Sequence, residues 1–89
     1  MAALIRGREF LHAGDVVVLE CEAECIFRLT DDVNFEAWQQ GHPFSYEGGT
    51  FKQFPARLTV PQTGFWNVTL QFLGTTSLVP YALSYDKKT

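Results

Sequence analysis

The sequence predicts an all-β fold, a small antiparallel β-sandwich or barrel of seven to eight strands with one short helix. Three observations carry that expectation. Apolar and polar residues alternate with period two over most of the chain, the pattern of strands that bury one face. Turn-forming Gly, Pro, Asp and Asn recur between the alternating runs, as they do in all-β chains. The alternation stops once, from Asp31 to Gly41, where capping residues bracket a spaced set of apolar side chains.

Along the chain, "DVVVLEC" (15–21) and "CIFRLT" (25–30) are apolar or β-branched runs joined by Glu22, Ala23 and Glu24, a loop of hairpin length. With Cys21 facing Cys25, Val17 and Leu19 meet Leu29 and Phe27 on an inner face. In the interruption that follows, Asp31 or Asp32 caps a helix, Glu36 suits its first turns and Gly41 ends it. Val33, Phe35 and Trp38 are spaced so that two or three press on the sheets, which puts a short helix across one end of the β core. "HPFSY" and "TFKQF" flank "EGG", whose glycines suit a tight turn, so a further hairpin is expected there. Phe44, Tyr46 and Phe54 then share the core face, while Phe51 and Phe65 project to the other side.

In "FPARLTV" (54–60), Phe54, Ala56, Leu58 and Val60 alternate with Arg57 and Thr59. "PQTG" turns this run into "GFWNVTLQFL" (64–73), and the two are expected to pair as an antiparallel hairpin. In the second run Trp66, Val68, Leu70 and Phe72 share the buried face, with Asn67, Thr69 and Gln71 on the other. The closing "LVPYALSY" sets Val79, Tyr81, Leu83 and Tyr85 on one face. Pro80 has no N–H for a ladder and points to a sheet edge.

Composition narrows the function classes. At 89 residues, with 46% hydrophobic, 15% aromatic and 19% charged, the chain fits one folded domain over residues 1–89. A net charge of −3 and scattered basic residues argue against nucleic acid, whose binding takes clustered Lys and Arg. The opening residues lack an apolar run of signal-peptide length, and no segment reaches a membrane span. A soluble cytoplasmic domain with no membrane partner is the expectation, and "NVT" at Asn67 then counts as a strand tripeptide, not a glycosylation site.

Candidate chemistry concentrates in "RLTDDVNFEAWQQG" (28–41). Asp32, Asn34 and Glu36 are spaced like the start of a calcium loop, but Ala37 stands where that loop needs Gly, and Pro43 where it needs a bidentate Glu. Cys21 and Cys25 lack CxxC spacing, and zinc would need His12 and His42 to complete its ligands. Reduced thiols packed in the core fit better than a strained disulfide switch. Neither His is placed to activate a cysteine. No metal, cofactor or catalytic residue is therefore assigned. The acidic residues from Glu20 to Glu36 suggest an acidic end that meets a partner, and the ligand-binding candidates are Asp31, Asp32, Asn34 and Trp38.

The segments "AGDVVVLECEAECIFRLTDDVNF" and "YEGGTFKQFPARLTVPQTGFWNVTL" resemble a small bacterial domain family of unknown function, found alone or fused to TIR-type signalling domains. The resemblance runs from about Arg8 to Tyr85. It implies a compact β domain and, beside a TIR neighbour, a role in sensing or assembly, and it supplies no catalytic or binding residues. The function expected from the whole sequence is a non-enzymatic module that binds a protein partner or forms a homo-oligomer. The alternative is a sensor for a small molecule, sugar or nucleotide-like.

Overall fold

Val17, Leu19, Phe27, Leu29, Val68 and Leu70 occupy alternate positions of three strands, and none is more than 1% exposed. Burying each is worth about 1.5–3 kcal/mol, and the need to bury them together organises the molecule. The computed structural model describes residues 4–73 and 80–87. In chain order these form β1 (Leu4–Leu11), β2 (Val16–Cys21), β3 (Cys25–Asp31), α1 (Asp32–Gln39), β4 (Glu47–Phe51), β5 (Ala56–Thr59), β6 (Gly64–Phe72) and β7 (Tyr81–Asp86).

Two antiparallel sheets result, one ordered β1-β6-β3-β4 and the other β5-β2-β7. Their inner faces share one core, in which Leu11, Val17, Leu19, Phe27, Leu70 and Phe72 are fully buried. The all-β expectation holds, as a sandwich and not a barrel. β7 lies at an edge, as Pro80 suggested; Val79 lies outside the described residues.

The expected strand partners differ from the observed ones in three places. β2 and β3 do not form a hairpin: β2 pairs with β5 and β7, and β3 with β4 and β6. Residues 22–24 instead carry the chain from one sheet to the other. Because both strands bury one face in the same core, their inner residues meet across the sandwich, so Val17, Leu19, Phe27 and Leu29 point inward as expected. β5 and β6 likewise lie in different sheets. The Val60 N–H donates to the Asp15 carbonyl and the Gly14 N–H to the Val60 carbonyl, both at 2.8 Å, which ties the end of β5 to the β1–β2 turn.

The third difference is at "EGG", which is no turn but the start of β4, with Gly48 opposite Arg28 and Gly49 opposite Phe27. Gly48 has φ +110, and a Cβ there would run into the Phe27 carbonyl oxygen. Glycine thus permits a close approach of strands. Residues 42–46 form no strand. Phe51 does not face outward; its ring lies 5.8 Å from that of Phe27, and both it and Phe54 pack on the core. Of the two phenylalanines expected outside, Phe65 alone is exposed.

β1 was not expected. Its alternate residues Arg6, Arg8 and Phe10 pair with Thr69, Asn67 and Phe65, on the face of the four-stranded sheet away from the core. The acidic residues also divide. Glu20 near the end of β2 and Glu22 and Glu24 in the connection precede β3, whereas Asp31 ends β3 and Asp32 and Glu36 follow it in α1, with the length of β3, roughly 20 Å at about 3.3 Å per residue, between the two groups. They form no common acidic end.

Candidate functional site

Helix α1 lies against β3 and β6, on the outer face of the four-stranded sheet. Its start is fixed by Asp31, whose Oδ1 accepts from the Asn34 N–H at 2.8 Å and from Asn34 Nδ2 at 2.9 Å. That satisfies one of the backbone donors that a helix leaves open at its first turn. The Asn34 Oδ1 in turn accepts from the Ser45 N–H at 2.8 Å, holding the segment after the helix. At the other end Gly41, with φ +75, lets its N–H reach the Trp38 carbonyl and the His42 N–H reach that of Ala37, the pairing of a Schellman stop. Asp31 and Asn34 are therefore occupied in shaping the chain.

Asp32 has a different role. Arg8 Nε donates to its Oδ1 at 3.1 Å and Arg8 Nη2 to its Oδ2 at 2.6 Å, while Asn67 Nδ2 donates to Oδ1 at 3.0 Å. The hydrogen bonds from Arg8 first, then from Asn67, hold the Asp32 carboxyl down at about 2, and the same bond to Asp32 raises the Arg8 guanidinium. Bonds to the charged form favour that form. Asn67 is fully buried and uses both ends of its amide: Nδ2 also reaches the Thr30 carbonyl at 3.1 Å, and Oδ1 accepts from Arg6 Nε and Nη2 at 3.1 and 2.8 Å. This network joins β1, β3, β6 and α1 and leaves Asn67 inside.

Three arginines stand on this face, each over an aromatic ring. Arg6 lies 4.1 Å from the Phe35 centroid and Arg8 4.0 Å from that of Phe65. Arg28 has Trp38 at 4.9 Å and Tyr46 at 5.0 Å. Trp38 is stacked on Phe44, centroids 5.2 Å apart and planes 13° from parallel, and meets Phe35 edge-on at 5.9 Å. Among the expected candidates, then, Asp32 and Trp38 border a basic and aromatic surface. The sequence reading missed Arg6, Arg8, Arg28, Asn67 and Thr69. The period-two spacing of Arg6 and Arg8 was the available signal for the first two.

Beside the helix start, Phe10 and Phe65 pair across strands, edge to face at 5.1 Å. They are 47% and 46% exposed, and Val33 on α1 is 77% exposed. Val33 and Phe65 line one hollow with Asp31 and Asp32. Elsewhere, Cys21 and Cys25 are free thiols at the β2–β3 corner. Burial, then the nearby Cys21, pushes the Cys25 thiol up to about 11. His12 is at the surface with Nδ1 3.8 Å from the buried Asp15 carboxylate, and His42 is exposed. Among the described residues, no three His, Cys, Asp or Glu side chains are grouped to hold a metal ion, and no helix is long and apolar enough to cross a membrane.

These features define the class: a small two-sheet β-sandwich that carries one helix, with a basic and aromatic surface, on the outside of its larger sheet. Within that class the chain belongs to the family described as domain of unknown function DUF1883, whose model matches residues 4–88. That agrees with the family resemblance of its "DDVNF" and "GFWNV" segments at the level of a small domain of unknown function. No curated protein and no solved structure matches the chain.

Proposed function

We propose that this domain is an interaction module without a reaction of its own, and that it self-associates through the surface formed by Phe10, Phe65 and Val33. The supporting observation is the exposure of that phenylalanine pair beside an even more exposed valine, bordered by Arg8 and Asp32. An apolar patch with a polar rim is the usual form of an interface between folded chains. A second copy would cover the patch and remove its apolar area from water. The same reading sets the domain in the cytoplasm of bacteria, with both thiols reduced, in an assembly or sensing role beside TIR-type domains. Sedimentation velocity from low micromolar to near-millimolar concentration tests it. Mass should rise with concentration for the native chain and not for Phe65→Ser; a strict monomer throughout would sink the proposal.

A second reading, a sensor for a sugar or nucleotide-like molecule, draws on the cluster of Trp38, Phe44 and Tyr46 around Arg28. Flat rings next to a guanidinium give a small planar or ringed ligand both a stacking surface and a polar anchor. A thermal-shift screen with a metabolite panel separates the two readings, since a ligand of the native state raises its stability by mass action. A panel without a single hit would set the sensor reading aside.

A further inference from the structure

One row of residues across the outer face of the four-stranded sheet carries polar atoms that the fold does not use. Thr69 on β6 pairs with Arg6 on β1 and with Arg28 on β3, so the three side chains leave the sheet on the same side. Thr69 is 1% exposed, and among the described residues its hydroxyl has no hydrogen-bond partner and the buried Arg28 Nε has none either. Native folds satisfy nearly all buried polar atoms, so two unmet ones on adjacent residues mark a place where something else completes the pairing.

The charges around the row indicate what that is. Among the described residues, no carboxylate lies within ion-pair reach of Arg28 or Arg6, and the nearby Asp32 is engaged by Arg8. Trp38 and Tyr46 lie by their rings against the Arg28 guanidinium and accept no in-plane N–H bond, so neither ring meets the unpartnered Nε. A water molecule could meet one hydroxyl and one N–H, but it would not answer the charge of Arg28, which has no carboxylate within ion-pair reach among the described residues. An oxyanion answers both, since a guanidinium offers parallel N–H donors and Thr69 adds a hydroxyl donor.

We infer that Arg28 and Thr69, with Arg6 across the strand, bind a small oxyanion, a phosphate or carboxylate group carried by a ligand. This rests on the sensor reading and gives it a ligand chemistry. The test is a melting curve in sodium phosphate, in sodium acetate and in sodium chloride at matched ionic strength, together with the Nε–Hε resonances of the arginines. Phosphate, acetate or both should raise the melting temperature above the chloride value and move the Arg28 Nε–Hε signal while that of the exposed Arg57 stays still; the stronger arm names the ligand class. Arg28→Gln should abolish the increment. Should that variant not fold, the near-isosteric Thr69→Val should keep the fold and shrink the increment. Equal melting temperatures in all three salts, or Arg28 and Arg57 signals moving alike, overturn the inference. A neutral sugar that raises the melting temperature where neither anion does would overturn it and leave the sensor reading standing.

Discussion

Arg8 and Asp32 meet in a two-pronged pair, Nε to Oδ1 and Nη2 to Oδ2, that ties the first strand to the start of the helix. Both side chains are nearly half exposed, so the pair alone adds little stability. Its significance is positional: the same carboxylate also receives Asn67, and the guanidinium lies on the Phe65 ring. One contact therefore orients the helix, the interior amide and the exposed phenylalanine pair.

Asp32 should make the protein sensitive to acid. Its folded carboxyl sits at about 2, against 3.8 for the free side chain. A depressed value means that the contribution is present above the unfolded value and is lost as pH falls through the folded one. The melting temperature of the native chain should thus drop between about pH 4 and about pH 2 more steeply than that of Asp32→Asn. Parallel pH profiles for the two would show that the carboxylate is not held as described.

Asn67→Ala should destabilise the fold strongly. It strips the acceptor from Arg6 Nε and Nη2 and a donor from the Thr30 carbonyl, at a fully buried position. Each buried group left unmet costs about 1–3 kcal/mol, so urea unfolding should show a loss of at least that size. A loss within the range of ordinary surface substitutions would mean that water replaces the amide without penalty.

Replacing Asp31 by Ala removes the helix cap and should cost on the order of 1 kcal/mol, read as a lower urea midpoint at unchanged slope. Asp32→Ala leaves the cap in place. Its effect should appear in the acid profile above and in a loosened β1, visible as faster amide exchange there.

Thiol labelling should be ordered. Cys25 is fully buried and pushed up to about 11, first by desolvation and then by Cys21. A raised thiol value favours folding below the unfolded value and loses that favour as pH rises through the folded one. At about pH 8, where a free thiol is partly ionised, iodoacetamide should modify the partly exposed Cys21 and spare Cys25 until denaturant is added. Equal rates in the native state would contradict the burial.

How much of this was legible in the sequence depends on which contacts a pattern can encode. Alternation revealed which side chains of β2, β3 and β6 point inward, because that property belongs to each strand alone. It was silent about neighbours: β2 runs beside β5 and β7, both distant in sequence, and nothing local distinguishes that from a hairpin with β3. β1 escaped because its inner positions include Gly7 and Glu9 and its outer ones Arg6 and Phe10, which inverts the expected polarity. Asp31 was readable as a cap since its partner is three residues away. Asp32 was not, its main partner being Arg8. Asn67 and Thr69 occupy the face that alternation assigns to solvent, yet both are buried, because the helix and the arginines cover them. That cover exists only once the chain has folded.

The exchange of strands between the two sheets has a consequence for how the molecule is born. β2 forms the centre of the three-stranded sheet, yet one neighbour is β5 and the other is β7, which spans Tyr81–Asp86. A chain emerging from the ribosome can line up β1, β3, β4 and β6 while one edge of β2 has nothing to pair with. Such distant pairings are slow to form, and an open apolar strand edge is prone to stray pairing. Until β7 docks, that edge of β2 stays open, so β7 is the element whose pairing protects the centre of the smaller sheet.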